Sequence, residues 1–171
     1  MSIPGPRLLP VFAAAAMLLA VPPPIRAADA NSANGTLTIQ SAHKPFKIDL
    51  MHAYYIIGPD PYEAGKTIRS IVFTAADQRA AIEACKDTRC VGSLTFDFLR
   101  LDLGDDPRLV SWAARIDPAS FSGGVAGSAL KLGTDSADRL AGTLTMDAAG
   151  TKTAGTIKFD ASLVKTFAKP E

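Results

Sequence analysis

The chain has 171 residues, with 18 basic and 17 acidic side chains, and 47% of its residues are hydrophobic. This hydrophobic fraction is too high for a disordered chain, and the charges are too evenly balanced for a protein that captures nucleic acid electrostatically. The length predicts one domain after any processed leader.

Residues 1–30 have the three-part layout of a secretory signal peptide. Arg7 lies in the short polar start, and an apolar run of 14 residues covers positions 8–21. Small side chains then precede a cleavage site that we expect after Ala30, with cleavage after Ala27 as the alternative. The predicted mature protein is therefore exported, to the periplasm or outside the cell.

The apolar run is too short to serve as a membrane anchor. A spanning helix needs about 20 apolar residues, and this run also contains Pro10. We therefore expect no membrane insertion once the leader is removed. Loss of Arg7, Arg26 and Asp29 leaves residues 31–171 with equal numbers of acidic and basic side chains. That balance argues against a nucleic-acid partner.

The two cysteines, Cys85 and Cys90, both lie in the exported part. Oxidising compartments favour disulfides, so this pair predicts one. A redox-active or metal-binding pair is not indicated, because there is no Cys-x-x-Cys spacing and no neighbouring histidine.

Alternating apolar and polar residues, separated by turn-forming residues, predict about eight or nine short β-strands. The alternation changes phase at Phe98 and Leu99, which indicates a β-bulge or a strand that crosses between sheets. We therefore predict that residues 31–171 form one antiparallel β-sandwich. The alternative is a closed barrel.

One segment, residues 75–86, has helix-forming composition. Thr74 and Asp77 occupy positions that suit an N-cap and the third helical residue, a variant of the capping box. We predict one short helix over this segment, with the disulfide connecting its end to the following strand.

A short repeat is present in the carboxyl-terminal third. Residues 141–147 (AGTLTMD) recur as residues 154–160 (AGTIKFD), and residues 35–39 (GTLTI) are a partial third copy. The repeat is too short for a solenoid unit, and its spacing predicts that the first two copies are adjacent antiparallel strands.

No combination of residues identifies a catalytic centre, a metal site or a cofactor. The segment ending in Gly65, Lys66 and Thr67 imitates a phosphate-binding loop, but Asp60 occupies the position of its first glycine. Met51 and His52 have side chains that suit copper. Neighbouring residues of a strand are expected on opposite faces, which argues against a shared metal.

The best candidates for ligand binding are tyrosines. Tyr54 and Tyr55 are consecutive in a predicted strand, so one of them is expected to face away from the core. Tyr62 lies in the proline-containing loop that follows. Tyrosine combines an apolar ring with a polar hydroxyl, which suits a binding surface.

Short motifs resemble a loose group of uncharacterised bacterial secreted β-sandwich proteins. They are residues 35–39 (GTLTI), residues 46–48 with 52–54 (FKI, HAY) and residues 68–74 (IRSIVFT). Residues 142–161 are similar to the carboxyl-terminal strands of that group. No activity or catalytic residue is assigned to the group, so the resemblance implies a fold and no function. The cysteine loop departs from its pattern.

We therefore expect an exported, non-enzymatic binding or accessory domain, whose ligand is an unknown protein or small molecule. The first alternative is a periplasmic inhibitor or immunity protein that binds a secreted enzyme. The second is a hydrolase with an unrecognised carboxylate site.

Overall fold

The computed structural model describes residues 30–60, 63–104, 108–147 and 152–168. The predicted leader therefore lies outside the described residues, except for Ala30. No helix in the described ranges has the length and apolarity needed to cross a membrane. The elements in chain order are β1 (Ser32–Gln40), β2 (Pro45–Pro59), β3 (Thr67–Thr74), α1 (Arg79–Ala84), α2 (Thr88–Ser93), β4 (Phe98–Leu103), β5 (Leu109–Ile116), β6 (Ala119–Gly123), β7 (Ser128–Asp135), β8 (Arg139–Met146) and β9 (Thr153–Thr166).

The described strands form a single sheet, in the order β6-β5-β4-β3-β2-β1-β9-β8-β7. The neighbours in this order are antiparallel, as the alternation predicted. The sheet curls into a half-barrel instead of forming two separate sheets. The predicted two-sheet sandwich is therefore corrected to one curled sheet with a concave and a convex face.

The change of phase at Phe98 and Leu99 has a different cause from the one predicted. Phe98 is the first residue of β4 and packs on the convex side, whereas Leu99 packs in the concave core. Both faces of β4 are buried, so neither a β-bulge nor a crossover is needed at this point.

The three copies of the sequence repeat are neighbouring strands. The first two copies pair as β8 and β9, as predicted, and the partial third copy, in β1, lies on the other side of β9. Their glycines lie where the backbones approach most closely. A Cβ atom on Gly35 would lie 2.3 Å from the carbonyl oxygen of Thr156, and one on Gly155 would lie 2.4 Å from that of Thr36. The glycines of the repeat therefore allow the strands to curl tightly here.

The concave side contains the main hydrophobic core. Side chains from distant strands meet there, because the curl brings the two halves of the sheet face to face. Phe73 of β3 contacts Phe159 of β9 edge to face, with 5.4 Å between ring centroids. Phe46 of β2 and Phe121 of β6 make a similar contact at 5.1 Å. These contacts bury the apolar residues of every central strand.

The convex side has a second, smaller core, covered by the two helices. Ile82 of α1 and Val91 of α2 are buried against convex-face residues that include Tyr54, Ile56 and Val72. The expected disulfide is present, with 2.09 Å between the Cys85 and Cys90 sulfurs. It joins the end of α1 to the middle of α2.

The helical segment differs from the prediction in number and boundaries. The single helix expected over residues 75–86 is α1, which begins at Arg79 after the N-cap Gln78, and a second helix, α2, follows it. Asp77 therefore precedes the helix instead of occupying its third position, and its carboxylate accepts hydrogen bonds from the Tyr54 hydroxyl and from the backbone N–H of Arg79. Asp87 is the N-cap that starts α2, accepting from the backbone N–H of Cys90.

An ion pair connects strands that are far apart in the sheet. Arg69 of β3 donates to Asp135 of β7 at 2.6 Å, and the two side chains are 21% and 33% exposed. Burial raises the pKa of Tyr55, and the nearby Arg69 cation opposes this rise. This cluster ties the end strand β7 to the middle of the sheet.

Substituting alanine for Gly35 or Gly155 should lower the free energy of unfolding by roughly 1–3 kcal/mol, because a methyl group has no room beside the neighbouring backbone. Chemical denaturation of each variant measures this change. Gly133→Ala is the matched control, since its Cβ would lie 3.9 Å from the nearest atom. The control should change stability by less than about 0.5 kcal/mol. Equal stability of all three variants would contradict the explanation of the repeat.

A double-mutant cycle with Arg69→Met and Asp135→Asn should give a coupling energy of about 1 kcal/mol in urea denaturation, since the ion pair is partly shielded from water. The control is the Lys66–Glu63 pair, which has the same 2.6 Å separation but side chains that are 52% and 60% exposed. Its coupling should be below about 0.5 kcal/mol. A coupling for Arg69 no larger than that of the control would show that the pair does not hold β7 in place.

Candidate functional site

A cavity of about 500 Å³ opens on the concave side of the sheet. We call it the β6 cavity, because β6 and the loop after it form one wall. The end of β1 and the start of β9 form the opposite wall. Its lining residues are Ile39, Gln40, Trp112, Ser120, Phe121, Ser122, Gly123, Gly124, Ala126, Lys152 and Thr153.

The tryptophan side chain is held at this cavity by two glycines. Trp112 of β5 pairs with Gly123 of β6, and a Cβ atom on Gly123 would lie 2.9 Å from the indole ring. The indole N–H donates to the carbonyl oxygen of Gly124 at 3.1 Å. The indole therefore packs against β6 with its N–H hydrogen-bonded, and only 8% of the residue is exposed.

The remaining lining combines three apolar residues with five polar ones. Phe121 is fixed by its edge-to-face contact with Phe46, and Ile39 is buried at the opposite wall. Lys152 is the one charged residue among the described residues that line the cavity. Apolar walls with a few polar groups and a volume of this size are typical of small-ligand sites.

A second cavity, of about 400 Å³, is polar and lies on the convex side. We call it the Tyr54 pocket, and its lining includes Asn31, Met51, His52, Tyr54, Asp77 and Arg79. The Tyr54 hydroxyl donates to Asp77 Oδ1 at 2.7 Å and accepts from the backbone N–H of Gln78 at 2.9 Å. These bonds anchor the segment before α1 to β2.

The electrostatics of the Tyr54 pocket follow from burial and these hydrogen bonds. Burial of the ring, followed by the bond to Asp77, raises the pKa of Tyr54 from 10.0 to about 12. The pKa of Asp77 lies below its ordinary value of 3.8, because the Tyr54 hydroxyl and the backbone N–H of Arg79 both donate to its carboxylate. The pair is thus a neutral phenol beside an ionised carboxylate at neutral pH.

Met51 and His52 both line this pocket, and the His52 ring lies parallel to the Tyr54 ring with 6.3 Å between centroids. No group of three or more histidine, cysteine, aspartate or glutamate side chains in the described part of the chain is arranged to hold a metal ion.

The structure places the predicted binding tyrosines inside the fold. Tyr55 faces the concave core and Tyr54 the convex core, and each is 1% exposed. They do face opposite sides, but the helices cover the convex side as well. Tyr54 reaches a pocket through its hydroxyl alone, and Tyr62 lies outside the described residues. A binding role for these three residues stays a prediction.

One carboxylate in the sheet, that of Asp102, accepts three hydrogen bonds. Asp102 of β4 is largely buried and accepts hydrogen bonds from Ser70 and Arg100 at 2.7 Å and from Ser111 at 3.1 Å. Ser70 lies on β3, Ser111 on β5 and Arg100 on β4 itself, so the carboxylate connects three adjacent strands. This arrangement is structural.

Sequence reasoning did not find the β6 cavity. The available signal was the glycine pair Gly123–Gly124, two residues after Phe121, since glycine in a strand often marks close approach of another group.

Comparison with known proteins adds no relative: no family model, no curated protein and no solved structure matches this chain.

Tyr54→Phe should reduce the loss of stability in alkaline solution. The folded-state pKa of Tyr54 is raised above 10.0, so its contribution to stability is complete below pH 10 and is lost as the pH rises towards about 12. Urea denaturation of both proteins between pH 8 and pH 11.5 tests this. The variant should be less stable at pH 8, because it loses the bond to Asp77, and its curve should fall less steeply above pH 10. Parallel curves above pH 10 would contradict the raised pKa.

Proposed function

We propose that this is an exported, non-enzymatic binding protein whose ligand occupies the β6 cavity. The observation that carries the proposal is the aromatic wall of the β6 cavity. Elsewhere, the two faces of the sheet are largely covered by packed side chains and helices. Its walls combine Trp112 and Phe121 with the open strand β6.

Export is supported by two features. The predicted signal peptide precedes the first described strand, and the Cys85–Cys90 disulfide is of the kind that persists in oxidising compartments. The protein is accordingly proposed to act in the periplasm or outside the cell.

Binding is favoured over a carboxylate hydrolase by the composition of the cavity wall. Glycoside hydrolysis needs two carboxylates placed on either side of the scissile bond. No aspartate or glutamate is among the described residues that line the β6 cavity. Its single charge is the cation of Lys152, which favours a ligand with an apolar body and an anionic group.

Anilinonaphthalene sulfonate, an apolar fluorophore with one anionic group, should bind in the β6 cavity. Trp112 is the single tryptophan of the chain, so energy transfer from tryptophan to the bound probe is strongest for a probe that lies beside Trp112. Titration of the folded protein should give saturable transfer.

Gly124→Leu is the blocking variant, because a Cβ at Gly124 meets nothing within 4 Å and the added side chain would fill open space. It should weaken probe binding by about tenfold or more. Ala137→Leu is the control, since Ala137 is exposed in the turn after β7 and does not line the cavity. Probe binding that is absent, or equal in both variants, would remove the β6 cavity as the ligand site.

A further inference from the structure

The two end strands of the sheet differ in how their open edges are protected. β7 contains Lys131, has a register irregularity between Leu132 and Thr134, and is tied to the sheet by Asp135. Charges and bulges of this kind prevent an edge from pairing with another chain. β6, with the sequence ASFSG, contains no charged residue and no proline. It pairs only with β5 among the described strands.

A recess lies on each side of β6. Phe121 and Gly123 pair with the concave-face residues Ala114 and Trp112, and the β6 cavity lies on that side. Ser120 and Ser122 face the convex side, where a groove of about 290 Å³ is bordered by Phe98, Ala113 and Arg115. We call this second recess the outer groove. A strand placed beside β6 would direct alternate side chains into the two recesses.

Both recesses have the same sign of charge. Lys152 is the one charged residue among the described residues of the β6 cavity, and Arg115 is the one among those of the outer groove. A partner with carboxylates would therefore be attracted to both sides of β6.

The open edge is too small to form a stable interface between two copies of this chain. β6 has 5 residues, a length of about 17 Å. A stable dimer needs about 1,000 Å² of buried surface. The end of β1 and the start of β9 also line the β6 cavity, so an added strand would lie between them and β6.

We propose that β6 is a peptide-docking edge, to which an extended acidic peptide adds as a further strand of the sheet. Main-chain hydrogen bonds to β6 would hold the peptide, one set of side chains would enter the β6 cavity, and the other set would lie in the outer groove. This proposal rests on the proposed function, because it names the class of ligand that occupies the β6 cavity.

The test uses an acetylated octapeptide of alternating valine and glutamate, added to the ¹⁵N-labelled protein with its disulfide intact. Amide resonances of β6 should shift on titration, and the amides of β6 should become protected from hydrogen exchange. A matched peptide with N-methyl groups on alternate residues keeps the side chains but cannot complete the ladder. The N-methylated peptide should bind at least about tenfold more weakly than the octapeptide, since two or more net hydrogen bonds are lost.

Two matched variants locate the edge. Ser122→Asp places a carboxylate on the exposed side of β6 and should weaken the octapeptide about tenfold or more. Ala129→Asp makes the same kind of change on β7, and the affinity should stay within about twofold of the original value.

The outcomes separate this inference from the proposed function. Suppose that anilinonaphthalene sulfonate binds at Trp112 but the octapeptide does not shift the β6 amide resonances. The proposal of a ligand site in the β6 cavity is then kept, and the proposal of a peptide-docking edge is wrong. Equal affinity of the N-methylated peptide would also overturn strand addition. Concentration-dependent dimerisation that Ser122→Asp abolishes in sedimentation experiments would show that β6 pairs with a second copy instead. If neither probe binds, both proposals fall.

Discussion

The curl of the sheet depends on two close strand approaches, one between β1 and β9 and one between β8 and β7. Gly35 and Gly155 face each other's strand at distances where a Cβ atom would overlap the neighbouring carbonyl oxygen. Gly142 has the same relation to the carbonyl of Lys131 on β7, at 2.2 Å. Since these side chains are absent, the strands can bend tightly, and the two halves of the sheet come to face each other.

Burial on both faces follows from this curl. The concave face packs against itself, as in the contact between Phe73 and Phe159. The convex face is covered by α1 and α2, which the disulfide joins. Polar groups inside the fold are paired accordingly: no buried side-chain nitrogen or oxygen of the described residues lacks a hydrogen-bond partner. The bond from Ser70 to Asp102 belongs to this set.

The same curl brings the proposed binding site together. The β6 cavity is lined by residues from β5 and β6 and, opposite them, from the end of β1 and the start of β9. β6 and β9 are separated by five strands in the sheet order, so a flat sheet would not bring them to one cavity. Trp112 and Lys152 can act on one ligand because the sheet bends, and the unprotected edge of β6 lies beside them.

The sequence by itself determined the local features: the strands from the period of two, the disulfide from two cysteines, and the pairing of β8 with β9 from the repeat. These depend on neighbours in the chain or on a repeated pattern. It did not determine how the strands join. Period-two alternation indicates that a strand has a buried face, but it does not indicate what covers that face. One curled sheet and two packed sheets therefore have the same sequence pattern. Tertiary structure alone buried both Tyr54 and Tyr55 and placed Trp112 opposite Lys152, because these depend on contacts between residues far apart in the chain.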